Sequence, residues 1–120
     1  MRVYIVDDEQ IIAETLALIL ERKGFSVAWF TNPLEVLSMV ELSPPDLLIS
    51  DVMMPELCGV ELAIRVRSIL PRCRILLLSA HFVHLKENPS LFEHGFGLVA
   101  KPVHPDVLLV AIRSLPTPSG

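Results

Sequence analysis

The sequence lacks the features that mark several common classes of protein. Its two cysteines, Cys58 and Cys73, have neither Cys-x-x-Cys nor Cys/His ligand spacing, so we interpret both as reduced thiols of a cytoplasmic protein. The N-terminus has no signal-peptide pattern, and no apolar run approaches the length of a membrane span. Lysine and arginine form no cluster, and the net charge is −4. Direct contact with nucleic acid or with a membrane is therefore not expected.

Apolar sequence is abundant in a chain of single-domain length. The 120 residues are 52% hydrophobic and 20% charged. This composition argues against disorder and favours a sheet that is covered on both faces. We expect one domain at residues 1–115, followed at 116–120 by a tail or the start of a linker.

Short β-branched or aliphatic runs alternate with segments of helical periodicity along the chain. Gly24 is expected to cap the first helix at its C-terminus, and Asn32 before Pro33 to cap the second at its N-terminus. Asn88 and Pro89 should split or shorten the fourth helix. We predict strands at 2–6, 26–30, 46–50, 74–79 and 98–100, and helices at 9–23, 33–42, 59–70, 82–94 and 104–115.

This alternation predicts an α/β fold built from five βα units. Right-handed crossovers give a doubly wound parallel sheet, and the flavodoxin-like strand order 2-1-3-4-5 is the expected one. In that order the first strand lies beside the third. Asp7 and Asp8, which follow strand one, then meet Asp51, which follows strand three, at the carboxyl edge of the sheet.

Three carboxylates in one small space predict a bound cation. Like charges this close raise one another's pKa unless a cation with a preference for oxygen ligands lies between them, and so few protein ligands favour Mg²⁺ over Ca²⁺. Ser79 and Lys101 reach the same edge from strands four and five. Phosphoryl transfer fits this set, with Asp51 as the nucleophile, Mg²⁺ and Lys101 neutralising phosphoryl oxygens, and Ser79 donating a hydrogen bond to one of them.

The same residues, in this order, resemble a known family over essentially the whole chain. The pattern is that of the response-regulator receiver domains of two-component signal transduction, the CheY-like superfamily. The matching motifs are Asp7-Asp8, Asp51-x-x-Met54-Pro55-x-x-x-Gly59-x-Glu61-Leu62, Ser79-Ala80 and Lys101-Pro102.

The resemblance implies a signalling phosphoacceptor, not an enzyme that turns over a metabolite. Asp51 would accept a phosphoryl group from the phosphohistidine of a sensor histidine kinase or of a histidine phosphotransfer protein. Asp8 would bind Mg²⁺ directly, Asp7 would act largely through a metal-bound water, and the backbone carbonyl of Met53 would complete the protein ligands. Lys101 would be the charge partner of the phosphoryl group.

The resemblance also implies a conformational switch. Ser79 would move to the phosphoryl group, and the Lys101–Pro102 peptide would be cis. The family usually has an aromatic residue three positions before the lysine, but this chain has Leu98 there; Phe96 is a candidate substitute if the strand begins that early. The switch would alter the surface of the fourth helix, fifth strand and fifth helix, where an apolar contact with an effector domain or a second copy is expected.

Other interpretations remain for these residues. Asp7, Asp8 and Glu9 could simply cap and charge the N-terminus of the first helix, where an acid contributes about 0.3–1 kcal/mol. The domain could be a pseudo-receiver that interacts without phosphorylation. It could also be a phosphohydrolase with an aspartyl-phosphate intermediate, although such enzymes of the haloacid dehalogenase class usually have an Asp-x-Asp nucleophile motif, which Asp7-Asp8 does not match.

Overall fold

Five parallel strands form one sheet in the computed structural model of the protein, which describes residues 1–80 and 89–116. Their order is 2-1-3-4-5, as predicted. Residues 117–120 of the predicted tail lie outside the described residues, and the domain boundary at 115 stays a prediction. The strands are β1 (Arg2–Val6), β2 (Ser26–Phe30), β3 (Leu47–Asp51), β4 (Arg74–Ser79) and β5 (Gly97–Ala100).

Helices connect the strands, and the local sequence explains where two of them end or begin. Gly24, with φ of +95°, follows the end of the first helix, as predicted, because glycine enters this left-handed region without strain. Asn32 accepts a hydrogen bond of 2.9 Å from the Leu34 N–H and caps the second helix, also as predicted. In the described part of the chain the helices are α1 (Gln10–Arg22), α2 (Pro33–Met39), α3 (Gly59–Ile69), α4 (Pro89–His94) and α5 (Pro105–Ser114).

Some predicted boundaries were wrong by one to a few residues. α2 ends at Met39 and not near Leu42, whose side chain is 80% exposed and has no core to hold a further turn. β3 runs through Asp51, which pairs with Leu78 of β4, so the strand lies one residue later than predicted. β5 begins one residue early, at Gly97.

The predicted fourth helix is described only in part. α4 begins at Pro89, where the sequence predicted a break, and the expected segment 82–88 lies outside the described residues. α5 begins at Pro105, after His104, whose ring nitrogen Nδ1 accepts a hydrogen bond of 3.1 Å from the Asp106 N–H. Among the described residues, no helix combines the length and the apolar character needed to span a bilayer.

Apolar side chains cover the sheet on both faces. Because side chains alternate along a strand, β3 sends Leu47 and Ile49 to one face and Leu48 to the other. α1 and α5 cover the first face with Leu20 and Leu108. The second face is covered by α2, α3 and α4, whose buried residues there include Val36, Leu62, Val66 and Leu91. The packed sheet between these helical layers positions the side chains at its carboxyl edge.

Candidate functional site

The carboxyl ends of four strands bring the predicted site residues to one edge of the sheet. Asp7 follows β1, Asp51 ends β3, Ser79 ends β4 and Lys101 follows β5. A backbone hydrogen bond of 2.9 Å, from the Lys101 N–H to the Ser79 carbonyl, holds the ends of β4 and β5 side by side. Ser79 is fully buried beside this edge.

Three carboxylates form the centre of the site. Oxygen atoms of Asp7, Asp8 and Asp51 all lie within 4.8 Å of one another; Asp7 and Asp51 are buried and Asp8 is exposed. This set of hard oxygen donors fits Mg²⁺, which is held by one or two carboxylates and keeps several waters. Met53 lies two residues after the end of β3, with an exposed side chain.

Lys101 lies between the two buried carboxylates. Its ammonium Nζ donates a hydrogen bond of 2.7 Å to Asp7 Oδ2 and is 3.5 Å from Asp51 Oδ1. The lysine side chain is 16% exposed, so water screens these charges only weakly. The Lys101–Pro102 peptide is cis, as the resemblance implied.

Asp7 is held at both of its oxygens. Oδ1 accepts a hydrogen bond of 2.9 Å from the Glu9 N–H, while Oδ2 contacts Lys101. The alternative role at the start of α1 is compatible with the contacts of Asp7, which bonds the backbone N–H of Glu9, the residue before the helix. Glu9 itself makes no side-chain capping bond, and the first turn contains no acid. The carboxylate of Asp7 therefore joins the start of α1 to the edge of the sheet.

The charges at this edge shift two pKa values in the same direction. Burial raises the pKa of Asp51, and the charges of Asp7 and Asp8 raise it further against the opposing effect of Lys101. Burial lowers the pKa of Lys101, but its hydrogen bond and charge interactions with Asp7 and Asp51 outweigh burial, so the net pKa is raised. Lys101 therefore stays protonated, and an added cation would relieve the unfavourable charge of Asp51.

Gly59 is a site residue to which the sequence assigned no role. A Cβ atom at this position would lie 2.1 Å from the Asp51 carbonyl oxygen and 2.9 Å from the Val52 Cα atom. The Gly59 N–H also donates to the Val52 carbonyl at 2.7 Å. Only glycine lets α3 begin this close to β3, and the available signal was its place in the Asp51 motif at the start of a predicted helix.

Leu98 and Phe96, the two candidates for the aromatic part of the switch, differ in their surroundings. Leu98 is half-buried on β5, opposite Leu77. Phe96 is buried just before β5, which begins at Gly97, and it belongs to the hydrophobic cluster against which Leu98 packs, so its substitute role stays a prediction. Its ring stacks on His94 and lies beneath the Arg67 guanidinium. A switch role for Leu98 stays a prediction.

An apolar cavity of about 450 Å³ opens beside Lys101. It lies between α1 and the segment that follows β5. Its walls include Ile11, Thr15 and Ile19 of α1, together with Pro102 and Val103. Ile11 is largely exposed at this place, so an apolar surface borders the polar edge of the sheet.

Comparisons of sequence and structure agree on one family. The profile of the response regulator receiver domain matches residues 3–113. The transcriptional regulatory protein CreB of Escherichia coli is 34% identical over 94% of this chain and 49% of its own length. The response regulator MprA of Mycobacterium leprae is 35% identical over 96% of this chain and 50% of its own length. The chain thus spans about half the length of these curated relatives.

Solved structures that are similar to this chain indicate the same family. The response regulator TrrA of Thermotoga maritima, in complex with Mg²⁺ and beryllofluoride, has a TM-score of 0.85 and 30% identity and covers 96% of this chain and 98% of its own. The chemotaxis protein CheY4 of Vibrio cholerae has a TM-score of 0.86 and 27% identity at the same coverage, 96% and 98%. The chain therefore belongs to the response regulator receiver domains of two-component systems.

Proposed function

We propose that Asp51 is the phosphoacceptor of this receiver domain and takes a phosphoryl group in a reaction that depends on Mg²⁺. The observation that carries the proposal is the grouping of Asp51 with Asp7 and Asp8 within 4.8 Å, beside the Lys101 ammonium. The Mg²⁺ complex of the similar protein TrrA supports the choice of metal. The phosphodonor is the phosphohistidine of a sensor histidine kinase or of a histidine phosphotransfer protein.

Each side chain has a separate part in the proposed transfer. A carboxylate oxygen of Asp51 attacks phosphorus as the bond from phosphorus to the donor histidine nitrogen breaks, and that nitrogen keeps the bonding electrons. Lys101 neutralises a phosphoryl oxygen, and the Ser79 hydroxyl donates a hydrogen bond to another. Asp8, Asp51 and the Met53 carbonyl, with Asp7 acting through water, would hold Mg²⁺, which would supply positive charge for the remaining oxygens.

The apolar cavity beside Lys101 supports the proposal that the phosphodonor docks on this part of the surface. A donor that reaches Asp51 must cover the surface around the carboxyl edge, and the cavity between α1 and Val103 offers about 450 Å³ for apolar side chains there. We place this encounter in the cytoplasm, in line with the free thiols of Cys58 and Cys73.

The proposed output surface is formed by α4, β5 and α5. Val107 and Val110 of α5 are 50% and 61% exposed, which supports an apolar contact on this face. Because the chain spans half of relatives such as the transcriptional regulatory protein CreB, an effector domain is one proposed partner. A second copy of the receiver is the other.

Intact mass spectrometry tests the phosphoacceptor. The wild type, incubated with acetyl phosphate and Mg²⁺, should gain the mass of one phosphoryl group, and Asp51→Asn should not. Asp106→Asn is the matched control, because the Asp106 side chain is 87% exposed on α5 and should not affect the adduct. Removal of Mg²⁺ with a chelator should abolish the wild-type adduct.

Two results would contradict the proposal. A wild-type protein that forms no adduct and binds no beryllofluoride would be a pseudo-receiver, which interacts without phosphorylation. An adduct that persists in Asp51→Asn would place the phosphoryl group on another residue. Continuous hydrolysis of phosphate esters that are not phosphodonors would instead support the aspartyl-phosphate phosphohydrolase.

A further inference from the structure

α3 connects the phosphoacceptor strand with the corner between α4 and β5. At its first residue, Gly59 lies directly against the Asp51 carbonyl and donates a hydrogen bond of 2.7 Å to the Val52 carbonyl. The helix has 11 residues, so its full length is about 16 Å. A backbone movement at Asp51 or Val52 would therefore act directly on the first residue of α3.

Arg67, in the last turn of α3, holds the other end of this connection. Its Nη1 donates a hydrogen bond of 2.7 Å to the carbonyl oxygen of His94, the last residue of α4. Its Nε donates one of 3.0 Å to the Cys73 carbonyl, just before β4. The guanidinium carbon lies 5.2 Å from the centre of the Phe96 ring, which stacks on the His94 ring at 5.0 Å. We call residues 94–97 the α4–β5 corner.

This arrangement requires an arginine. The planar guanidinium donates in two directions and presents its face to an aromatic ring, which the ammonium of lysine does not reproduce. A carbonyl at the end of a helix has no partner within that helix, so the bond to His94 also satisfies α4. Arg65 of the same helix differs, because its exposed side chain pairs with Glu61 in the preceding turn of α3.

The corner lies on the proposed output surface. Gly97 begins β5, and a cavity of about 350 Å³ between α4, β5 and α5 is lined by Phe96, Leu98 and Ala111. The position where receivers usually have an aromatic residue is Leu98 in this chain, whereas the aromatic Phe96 lies beneath the Arg67 guanidinium. The contact from Arg67 is thus a direct link from α3 into this surface.

We propose that Arg67 is a positioning residue that couples Asp51 to the α4–β5 corner through α3. A change in the Asp51–Val52 backbone displaces α3 at Gly59, and the hydrogen bond from Arg67 to His94 transmits the displacement to the corner. The inference rests on the proposed function, because it assumes that the phosphoryl site changes state.

Nuclear magnetic resonance of the complete chain tests the coupling. Beryllofluoride with Mg²⁺ serves as the phosphoryl mimic, the Val52 amide reports on the site, and the His94 ring and Gly95 amide report on the corner. In the wild type, site and corner signals should shift over the same range of beryllofluoride concentration. In Arg67→Met, which keeps an apolar stem, the site signal should still shift and the corner signals should not.

Arg65→Met is the control on the same helix and should behave as the wild type. Arg67→Lys keeps the positive charge but lacks the planar guanidinium that donates in two directions. We therefore expect smaller shifts of the α4–β5 corner signals in this variant. If Arg67→Met does not fold, Arg67→Lys decides the question by the same comparison. Urea unfolding of each variant separates lost stability from lost coupling.

The failures of the two proposals are distinguishable. A full corner response in both Arg67 variants, with or without lower stability, would reduce Arg67 to a structural residue and overturn the inference. A wild type whose Val52 signal shifts while the corner stays unchanged would overturn it as well. A wild type with no response at Val52 would contradict the phosphoacceptor function itself.

Discussion

Replacement of Gly59 by alanine tests how closely α3 must approach the phosphoacceptor strand. The new Cβ would lie 2.1 Å from the Asp51 carbonyl oxygen, whereas a close contact between carbon and oxygen is about 3.3 Å. The helix start and the strand would have to separate by about 1.2 Å if the shift lay along the contact. The clashing atoms belong to the backbone, so no side-chain rotation relieves the contact.

Favourable and unfavourable contributions to the free energy of unfolding together decide how much stability Gly59→Ala loses. Alanine would favour folding by about 0.4–1 kcal/mol through the unfolded chain, since Gly59 is not among the glycines with positive φ. Overpacking costs about 1–3 kcal/mol. Weakening the hydrogen bond from Gly59 to Val52 adds about 1 kcal/mol. We expect a net loss of about 2 kcal/mol, which for a domain of this size lowers Tm by roughly 6–10 °C.

Urea unfolding at pH 7 without Mg²⁺ measures this loss. Gly24→Ala is the control, because Gly24 has φ of +95° and no atom within 4 Å of an added Cβ, so only backbone strain of about 1 kcal/mol acts there. Beryllofluoride affinity should fall in Gly59→Ala and stay unchanged in Gly24→Ala. A Gly59→Ala protein as stable as the wild type would refute the close-contact argument.

Three further predictions concern pH, thiol reactivity and a helix cap. Folding raises the pKa of Asp51 above 3.8, so the native state binds more protons above that pH and the contribution of Asp51 to stability falls as pH rises. Without Mg²⁺, the urea midpoint of Asp51→Asn should therefore decline less than that of the wild type from about pH 4 to neutrality. Burial raises the pKa of the Cys73 thiol to about 11, so at pH 8 Ellman's reagent should react with exposed Cys58 in native protein and with both thiols after unfolding. Asn32→Ala removes the cap on the Leu34 N–H and should lower the unfolding free energy by about 1 kcal/mol.

Each of these predictions has a control or a result that would contradict it. Parallel pH profiles for Asp51→Asn and the wild type would show that Asp51 titrates alike in both states. Rapid reaction of native Cys58→Ala would show that Cys73 is accessible. Ser38→Ala is the control for Asn32→Ala, because the Ser38 hydroxyl donates to the Glu35 carbonyl and its removal leaves the cap at the start of α2 intact. Equal losses in both would contradict the capping argument.

The fold was predictable because its signals are local. Aliphatic runs defined the strands to within one residue, and Gly24 and Asn32 marked helix ends through their own backbone and side-chain preferences. The end of α2 was not predictable, since Leu42 is apolar but finds no core to pack against. The last residue of β3 depends on the pairing of Asp51 with Leu78, a contact between distant parts of the chain.

The grouping of the candidate site residues was predictable, but their contacts were not. Strand ends indicated that Asp7, Asp51 and Lys101 would meet. The sequence did not indicate that Asp7, at 2.7 Å, would be the nearest partner of Lys101. The three contacts of Arg67 were also not visible as a pattern in the sequence, because they depend on how α3, α4 and the start of β4 pack together.

The ion pair of Lys101 has a consequence for the order in which ligands enter the site. When Asp7, Asp8 and Asp51 are ionised, the ammonium of Lys101 leaves a net charge of −2 on these four described side chains. Such a field attracts cations and slows the approach of anions, most strongly at low ionic strength. A small anionic phosphodonor should therefore react by an ordered route in which the divalent cation binds first.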